Sequence, residues 1–452
     1  MRKLLLTFYG DDFTGSTDAL EQLTLAGVRA ALFIAPPTPQ QLSRFKNLQA
    51  VGVAGKTRSL TPEAMKRELK PAFRALKKLG ARHVHYKVCS TFDSSPEIGS
   101  IGCVMDLAGE IFPASFIPLL VAAPALGRYT VFGNHFARFG IGSAGEIHRL
   151  DRHPSISRHP VTPMTEADLR VHLAKQTKKK IALFDITKIS SPGRTMRIEF
   201  KKLLSQSPDV VLFDALDESH LKKIGALIDE FAVGKRPLFS VGSSGIEMAL
   251  AANFGGRDNK AHTRKAKISK SLLTSAATNI LVGSGSCSPV TSGQIARALK
   301  AGFAEVPMDA GKLATKDVGA EIVRATNEAV KFLQSGRSVV VHTTKRGSDA
   351  LIAKKLKDRT AAVLGTALGK VLRGALARHA VRRICIAGGD TSSFAARALG
   401  IEALEMIAPL TPGAPLCRAF APNSPCDKLE VVFKGGQVGA ENYFETVKSG
   451  KT

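Results

Sequence analysis

The chain has 452 residues, of which 44% are hydrophobic and 23% charged, and this size and balance indicate two or three globular domains and exclude a fibre or a disordered chain. Six cysteines without a CxxC spacing exclude a disulfide-rich scaffold and a structural zinc module, which favours a cytoplasmic location. The formal net charge of +26 suits anionic ligands, but nucleic acid is disfavoured because the chain has no tryptophan, four tyrosines and no RNP, KH or zinc-finger pattern.

Short apolar runs alternate with helical patterns along the first half of the chain. The predicted strands cover residues 4–9, 30–35, 50–54, 81–87, 118–122, 180–184, 210–215 and 238–242. A helix pattern begins at about residues 16–18, soon after the first strand. This alternation predicts an α/β fold with a mainly parallel sheet. Because no apolar run approaches the ~18 residues of a membrane span, we expect no membrane association.

A polar, basic and glycine-containing segment separates the two halves of the chain. We therefore expect one domain over residues 1–253, a linker over 254–272 and a second domain over 273–452. In the second half, the predicted strands are 279–282, 304–308, 338–342, 383–387 and 429–433, with helices at 290–301 and 361–379. The predicted fold class is α/β, with two α/β domains that each contain a mainly parallel sheet.

Two acidic residues, Asp11 and Asp12, follow the first predicted strand directly. Ligands bind at the carboxyl ends of strands in open α/β sheets, so a pair of carboxylates there is well placed to accept a proton from a substrate hydroxyl. The alternative is that one of the aspartates, or Thr14, only caps the following helix.

Two basic residues, Lys56 and Arg58, follow the predicted strand at 50–54. They do not belong to a Walker A loop, because Ala50 stands where that motif requires glycine. At the same sheet edge as the aspartates they could hold a carboxylate, and the alternative is an exposed basic loop.

The segment after the strand at 81–87 is rich in polar side chains. It brings Lys87, Cys89, Asp93 and several hydroxyls together within nine residues, which is typical of a site for a polyhydroxylated anion. Nothing beyond Lys87 would lower the pKa of the Cys89 thiol, so we interpret Cys89 as a lining residue and not a nucleophile. Serine hydrolase and zinc hydrolase motifs are absent, since no GxSxG or HExxH sequence occurs.

Three glycine turns follow predicted strands in the second half, at 283–288, 387–392 and 434–439. The backbone N–H groups of Gly285 and Ser286, with the hydroxyls of Ser286 and Ser288, could bind a phosphate at a helix N-terminus. Asp390 could bind Mg²⁺ or a ribose hydroxyl. An NAD-dependent dehydrogenase remains the alternative, although Ser288 replaces the third glycine of GxGxxG.

Taken in order, these motifs resemble the four-carbon acid-sugar kinases over nearly the whole chain. The matching segments are Asp-Asp-Phe-Thr-Gly at 11–15, Lys-Thr-Arg-Ser at 56–59, Lys-x-Cys-Ser-Thr-Phe-Asp-Ser at 87–94, His-Pro-Val-x-Pro-Met at 159–164, Gly-Ser-Cys-Ser at 285–288, Gly-Gly-Asp-Thr-Ser at 388–392 and Lys-Gly-Gly at 434–436. The segment at 87–94 is similar to the 3-oxo-tetronate kinase branch, whereas threonate and erythronate kinases more often carry Asp-Ser-Thr-Leu-Arg-Gly.

The resemblance implies that the first domain binds an acid sugar, that the second binds ATP, and that the γ-phosphoryl group passes with Mg²⁺ to a terminal hydroxyl in an interdomain cleft. The implied ATP contacts, together with the hydroxyl of Ser288, are Ser286, Gly388, Gly389, Asp390, Thr391 and Gly436. Asp390 is also the candidate metal ligand. The implied sugar contacts, together with the neighbouring Lys56, are Asp12, Arg58, Lys87, Ser90, Thr91, Phe92 and Asp93.

The resemblance also suggests roles and substrates. Asp12 would orient or deprotonate the acceptor hydroxyl, with Asp11 as the alternative base, while Lys87 and Arg58 hold the carboxylate. Residues 94–102 and 435–437 depart from the usual family pattern. We expect 3-oxo-tetronate as substrate, and the departure at 94–102 leaves 3-oxo-isoapionate, threonate or erythronate as alternatives. A sugar-acid sensor is the non-enzyme alternative, and a homodimer is one assembly open to such a chain.

Overall fold

The computed structural model describes residues 4–139, 145–159, 161–232, 236–254, 279–286, 288–343 and 360–450, without the side chains of Thr360 and Asp390. These residues form two compact units, one with residues up to 265 except 32–34, and one with 32–34 and residues from 266 onward. The predicted linker at 254–272 lies outside the described residues apart from Phe254. Within the described ranges, no helix is both long and apolar enough to cross a membrane.

The first unit alternates strands and helices as predicted. Its strands are β1 (Leu6–Gly10), β2 (Ala30–Phe33), β3 (Ala50–Ala54), β4 (His83–Lys87), β5 (Ile117–Leu120), β6 (Arg128–Val131), β7 (Asn134–Arg138), β8 (Ile147–Arg149), β9 (Ile181–Phe184), β10 (Val210–Phe213) and β11 (Leu238–Gly242), although the last two residues of β2 are grouped with the second unit. Its helices are α1 (Phe13–Leu25), α2 (Pro39–Ser43), α3 (Pro62–Lys78), α4 (Ile101–Ile111), α5 (Leu169–Ala174), α6 (Ile186–Ser190), α7 (Gly193–Leu204), α8 (Glu218–Phe231) and α9 (Gly245–Phe254).

The strands of the first unit lie in the order β2-β3-β1-β4-β11-β5-β10-β9. The pairs from β3 to β9 are parallel, and the residues of β1, β3, β4, β10 and β11 are nearly all buried, as expected where helices cover both faces of a sheet. On one face, Tyr9, Phe73 and Tyr86 pack together with ring centroids 6.2–6.3 Å apart. The predicted parallel sheet is therefore confirmed.

A second, small sheet of the first unit was not predicted. It consists of the antiparallel strands β6, β7 and β8 and includes a hairpin between Val131 and Asn134. In β6 and β7, buried and half-buried residues alternate, so one face of the hairpin packs inward and the other faces water.

The second unit has its own strands and helices. Its strands are β12 (Ile280–Ser284), β13 (Ala304–Pro307), β14 (Val339–His342), β15 (Arg383–Ala387), β16 (Ala403–Thr411), β17 (Ala414–Phe420) and β18 (Glu430–Lys434). Its helices are α10 (Pro289–Lys300), α11 (Ala310–Leu313), α12 (Val318–Gln334), α13 (Thr360–Arg378), α14 (Gly389–Ala398) and α15 (Tyr443–Ser449). The order β13-β14-β12-β15-β18 is parallel, and β17 and β16 continue from β18 as antiparallel strands.

Candidate active site

Four neighbouring parallel strands of the first unit end together. Gly10 at the end of β1 pairs with Ala54 of β3 and with Lys87 of β4, and Lys87 pairs with Gly242 of β11. The segments that follow these strands therefore emerge at one edge of the sheet, where an open α/β fold binds its ligands.

Asp12 caps helix α1 and also holds a cation. Its Oδ1 accepts a hydrogen bond of 2.8 Å from the backbone N–H of Gly15, and its Oδ2 lies 3.0 Å from Nη2 of Arg58. The helix begins at Phe13, earlier than the predicted start at residues 16–18, because this carboxylate satisfies an N–H group of its first turn. The capping alternative therefore applies to Asp12, and the same carboxylate also pairs with Arg58, a contact that sequence analysis did not predict.

Asp11 is buried beside Asp12 but is engaged differently. Its backbone N–H donates to the carbonyl of Lys87 at 2.8 Å, and its own carbonyl accepts from the backbone N–H of Arg58 at 3.1 Å. These two bonds join the segments after β1, β3 and β4. Its side-chain Oδ1 is buried without a hydrogen-bond partner. Burial, and secondly the charge of Asp12, raise the pKa of Asp11 to about 7.

Lys87 extends from the end of β4 into a buried cluster of charges. Its Nζ donates to the carbonyl of Val88 at 2.9 Å and lies 3.5 Å from Oδ2 of Asp18. Burial alone would lower the pKa of this ammonium, but the charges of Asp18 and Glu247 outweigh burial and raise it. Lys87 therefore stays protonated at neutral pH.

Sequence analysis missed the two acidic residues of this cluster, Asp18 and Glu247. Both stand in helices whose other residues are mostly apolar or small, and both are buried. For Glu247 the signal was a charged side chain in an otherwise apolar helix, because buried charges require partners; α1 also carries Glu21, so no such signal identified Asp18. Burial raises the pKa of Glu247 to about 8, partly opposed by the charge of Lys87.

Lys56 is turned away from this cluster. Its ammonium is one-third exposed and lies 3.7 Å from Glu68 of α3. The structure therefore brings Arg58 and Lys87 to the aspartate pair but places Lys56 in an ion pair with a helix, and a contact of Lys56 with the acid sugar stays a prediction.

The predicted sugar segment after β4 forms a compact turn. The hydroxyl of Thr91 donates to Oδ1 of Asp93 at 2.8 Å and lies 3.0 Å from Sγ of Cys89. Burial raises the pKa of the Cys89 thiol to about 12, so this group is not a thiolate at neutral pH. The ring of Phe92 is fully buried in the core and packs edge-on against His172, at 5.9 Å between centroids. This differs from the expected contact of that ring with a ligand.

The β6–β7 hairpin supports the same turn. Nε2 of His135 lies 2.9 Å from the carbonyl oxygen of Ser90, and Nδ1 lies 2.9 Å from the hydroxyl of Thr130. Because a carbonyl only accepts, Nε2 carries the hydrogen and Nδ1 accepts from Thr130. At the other end of the turn, Ser94 Oγ lies 2.9 Å from Nε2 of His172. The ends of the turn are thus fixed by groups that sequence analysis did not identify.

The glycine turns of the second unit converge on Ser286. A methyl group at Gly436 would lie 2.8 Å from Oγ of Ser286, and one at Gly388 would lie 3.5 Å from its backbone nitrogen. Gly388 has a φ of +141°, which side chains rarely adopt, and a methyl group there would also lie 2.2 Å from Oγ1 of Thr391. The space beside Ser286 can therefore be lined at Gly388 and Gly436 only by backbone atoms, because a side chain at either position would fill it.

One predicted phosphate donor is already engaged. The backbone N–H of Gly285 donates to the carbonyl of Ala387 at 2.9 Å, so it extends the β12–β15 pairing and is not available to an anion. The expectation for Gly285 is therefore wrong. In contrast, the hydroxyl oxygens of Ser288 and Thr391 are buried without hydrogen-bond partners. Buried polar groups normally have partners, so a bound polar ligand would satisfy these two.

Lys434, at the end of β18, stabilises the third glycine turn. Its ammonium donates to the hydroxyl of Thr291 at 2.9 Å, and this hydroxyl donates to the carbonyl of Gly436 at 3.0 Å. Burial lowers the pKa of Lys434 to about 8. Thr291, within the first turn of α10, is a further residue that sequence analysis did not identify.

The metal prediction falls partly outside the described residues. Gly389 and Asp390 begin α14, but the side chain of Asp390 is not described. In the ranges that the structure covers, no group of three or more His, Cys, Asp or Glu side chains could hold a metal ion. The role of Asp390 toward Mg²⁺ stays a prediction.

Two family models match the chain. A sugar-binding N-terminal domain matches residues 6–250, and a nucleotide-binding C-terminal domain matches residues 281–444. A crystal structure of a Salmonella typhimurium LT2 protein has the same fold, with a TM-score of 0.75, 24% identity and 98% of both chains covered. A Haemophilus influenzae structure follows with a TM-score of 0.68 and 23% identity, again over 98% of both chains. The class is therefore that of proteins with a sugar-binding and a nucleotide-binding α/β domain.

Curated relatives narrow this class. The chain is 41% identical to a 3-oxo-isoapionate kinase of Paraburkholderia graminis, over 99% of this chain and 95% of the relative. It is 30% identical to a 3-oxo-tetronate kinase of Methylobacterium radiotolerans, over 98% of both chains, and 28% identical to one of Pseudomonas savastanoi pv. phaseolicola, over 97% and 96%. The chain belongs to the four-carbon acid-sugar kinase family, and it is a carbohydrate kinase.

Proposed function

We propose that this kinase transfers the γ-phosphoryl group of ATP to the terminal hydroxyl of 3-oxo-isoapionate. The relative that is 41% identical over nearly the whole chain carries this activity in its name, whereas the relatives named for 3-oxo-tetronate are 27–30% identical. The motif at 87–94 favours 3-oxo-tetronate, which remains the second candidate. The two acids differ in carbon skeleton but share the carboxylate and the terminal hydroxyl that the site must recognise.

The observation that carries the proposal is the joining of Asp11, Asp12, Arg58 and Lys87 at one sheet edge. Two cations and two acids lie there within a buried, hydrogen-bonded frame. Phosphoryl transfer requires alignment and charge neutralisation more than covalent chemistry from the protein. Cations can hold the substrate carboxylate, while an acid accepts the proton that leaves the attacking hydroxyl.

We assign the role of base to Asp11, the residue that sequence analysis ranked second. Both oxygens of Asp12 are engaged, one by Gly15 and one by Arg58. Asp11 keeps an unpartnered Oδ1, and its pKa of about 7 suits proton transfer near neutral pH. Asp12 then acts as a positioning residue, because it fixes Arg58.

In the second unit, we propose that the ATP phosphates lie over the glycine turns. Ser286, Ser288 and Thr391 would supply hydroxyls, and the backbone at Gly388, Gly389 and Gly436 would allow close approach. The unpartnered hydroxyls of Ser288 and Thr391, and the space that a methyl group would fill, fit a phosphate chain. Mg²⁺ would neutralise the β- and γ-phosphates, with Asp390 as the candidate ligand. The meeting of both substrates in a cleft, the homodimer and the cytoplasmic location stay predictions.

The proposal is tested by ATP consumption with a panel of acids. The purified chain is assayed for ADP release with 3-oxo-isoapionate, 3-oxo-tetronate, threonate and erythronate, and each product is identified by mass spectrometry and phosphorus NMR. We expect the highest kcat/KM with 3-oxo-isoapionate and a phosphate on its terminal hydroxyl. A higher value with 3-oxo-tetronate would reverse the order of the two candidates.

A further inference from the structure

Arg128, the first residue of β6, is a buried cation that no motif identified. Only 4% of the surface of Arg128 is exposed to solvent. A buried guanidinium normally has an acidic partner, because removing a charge from water is costly unless it is paired. Among the described residues, no carboxylate forms an ion pair with Arg128, and its Nε is buried without a hydrogen-bond partner.

Only one corner of the guanidinium is engaged. Nη1 points to three carbonyl oxygens, those of Leu126 at 3.0 Å, Gly127 at 3.3 Å and Arg138 at 3.1 Å. These contacts fix the orientation of the side chain on the β6–β7 hairpin. The Nε edge remains unused, and an arginine binds a carboxylate most strongly through two parallel N–H donors.

The face of the hairpin that carries Arg128 points toward the turn after β4. Arg128 and Thr130 are two residues apart in β6 and are both buried, so they share the inward face. Thr130 contacts His135, and His135 binds the carbonyl of Ser90 in that turn. Arg128 also follows the carboxyl end of β5, since it exchanges backbone hydrogen bonds with Ala123 at 3.0 and 3.2 Å.

Electrostatic effects agree with this placement. Burial lowers the pKa of Arg128, while Cys89, Asp93 and Asp18 act in the opposite direction. These three residues belong to, or lie beside, the turn and the Lys87 cluster described above. The other two cations of the site already have acidic partners, Asp12 for the half-buried Arg58 at 3.0 Å and Asp18 for the buried Lys87 at 3.5 Å.

We infer that Arg128 binds the carboxylate of the acid sugar through its unused edge and thereby makes the site specific for acids. The inference rests on the proposed function. It replaces the expectation that Arg58 and Lys87 hold the carboxylate: these two cations balance Asp12 and Asp18, and the substrate supplies the negative charge that Arg128 lacks. A neutral sugar would leave this guanidinium buried and uncompensated, which explains how a site with several hydroxyl-binding groups can reject it.

The experiment compares Arg128→Gln and Arg128→Lys with Arg149→Gln in the full chain. Arg149 lies in β8 of the same small sheet and forms a half-exposed ion pair with Asp151, which makes it a matched control. The KM values for ATP, for 3-oxo-isoapionate and for its neutral primary amide are measured by ADP release, together with the melting temperature. The amide separates carboxylate recognition from a general loss of structure.

We expect Arg128→Gln to raise the KM for the acid about 10- to 100-fold, the loss typical of a hydrogen-bonded charge. The KM for ATP should stay within about twofold, and the preference for acid over amide should shrink by the same factor as the acid KM rises. Arg128→Lys keeps the positive charge but lacks the two parallel N–H donors, so we expect a smaller rise in the KM for the acid. If Arg128→Gln does not fold, the Arg128→Lys variant provides the test. Arg149→Gln should match wild type.

Two results would overturn the inference. An unchanged acid KM in a folded variant would show that Arg128 only ties the hairpin, and so would equal losses for acid and amide. In both cases the wild-type enzyme still phosphorylates the acid, so the proposed function would stand. A wild-type chain that consumes ATP with none of the acids would overturn the proposed function and this inference together.

Discussion

Asp12 and Arg58 form an ion pair of 3.0 Å although they follow two different strands of the sheet. The neighbouring Asp11 has no such side-chain partner, yet its backbone bonds both to Arg58 and to Lys87. The two adjacent aspartates therefore differ in the engagement of their carboxylates: that of Asp12 is held by Arg58, and that of Asp11 has an oxygen without a partner. This difference can be tested by substitution.

Substitution of Asp11 should remove catalysis with little effect on binding. We expect Asp11→Asn to lower kcat about 100-fold or more, the usual contribution of a general base, while the KM values for both substrates remain near wild type. Steady-state kinetics with ATP and 3-oxo-isoapionate provide the measurement.

Asp12→Asn serves as the comparison: its amide oxygen can still accept from Gly15, but the ion pair with Arg58 is lost. A higher KM for the acid with kcat within about tenfold is expected there. The opposite pattern in the two variants would make Asp12 the base.

The pH dependence of activity and of stability should both report Asp11. Since its pKa is about 7 in the folded chain and 3.8 is its ordinary value, the folded state holds more protons than the unfolded state between these two pH values. The free energy of unfolding contributed by this group therefore falls as pH rises from about 4 to 7, and kcat/KM rises through about 7 as the base loses its proton. Thermal unfolding of wild type and Asp11→Asn at several pH values, with pH–rate profiles, tests both.

Glu247 changes stability in the same direction, with a pKa of about 8, so the informative quantity is the difference in stability between wild type and Asp11→Asn. A difference that does not vary between pH 4 and 8 would contradict the assignment.

A methyl group at Gly15 should disturb the cluster directly. It would lie 2.6 Å from Oδ1 of Asp12 and 3.1 Å from Nζ of Lys87, closer than unstrained contacts allow. We expect Gly15→Ala to raise the KM for the acid sugar at least tenfold and to lower the melting temperature, although alanine normally stabilises a helix by up to about 1 kcal/mol over glycine. Gly109→Ala in α4 is the control, because its nearest neighbour is Nζ of Lys179 at an ordinary 3.5 Å. Equal behaviour of the two variants would mean that the cluster tolerates displacement.

Substitution of Gly436 should affect the nucleotide alone. A methyl group there would lie 2.8 Å from Oγ of Ser286 and 2.9 Å from Cβ of Ser288, in the space assigned to the phosphates. We expect Gly436→Ala to raise the KM for ATP at least tenfold and to leave binding of the acid sugar, measured by calorimetry without nucleotide, unchanged. Gly293→Ala, in the open part of α10, is the matched control. Unaltered ATP affinity in Gly436→Ala would place the phosphates elsewhere.

The strands that could be predicted are the buried parallel ones. Strands β3, β11 and β15 have the bounds expected from their apolar runs, because full burial on both faces leaves a continuous hydrophobic signal. The strands β6, β7, β8, β16 and β17, whose pairings are all antiparallel, were missed. In β16 the pairing with β17 is irregular between Met406 and Thr411, and in β6 and β7 only alternate residues are buried. Such strands carry a weaker pattern.

The residues of the candidate site also fall into two groups, those that the sequence could predict and those that it could not. Residues that directly follow buried strands, such as Asp11, Arg58 and Lys87, were predicted because their position depends on the strand alone. Asp18, Glu247 and Arg128 were not, because their place in the site depends on how a helix or a hairpin packs. Asp18 is close in sequence to Asp12 but meets Lys87 of another strand, while Glu247 and Arg128 belong to elements that are distant in sequence. Burial of a charged side chain reveals such residues only once the fold is known.

The dual engagement of Asp12 has an evolutionary consequence. If Asp12 positions Arg58 for the substrate as proposed, selection for folding and selection for affinity act on one carboxylate, and this position has little freedom to change when a new nutrient becomes available. The turn after β4 is held through the carbonyl of Ser90 and the hydroxyl of Ser94, which leaves a side chain such as that of Cys89 replaceable without loss of the anchor. Divergence among descendants of such an enzyme should therefore accumulate in that turn while the aspartate pair stays fixed.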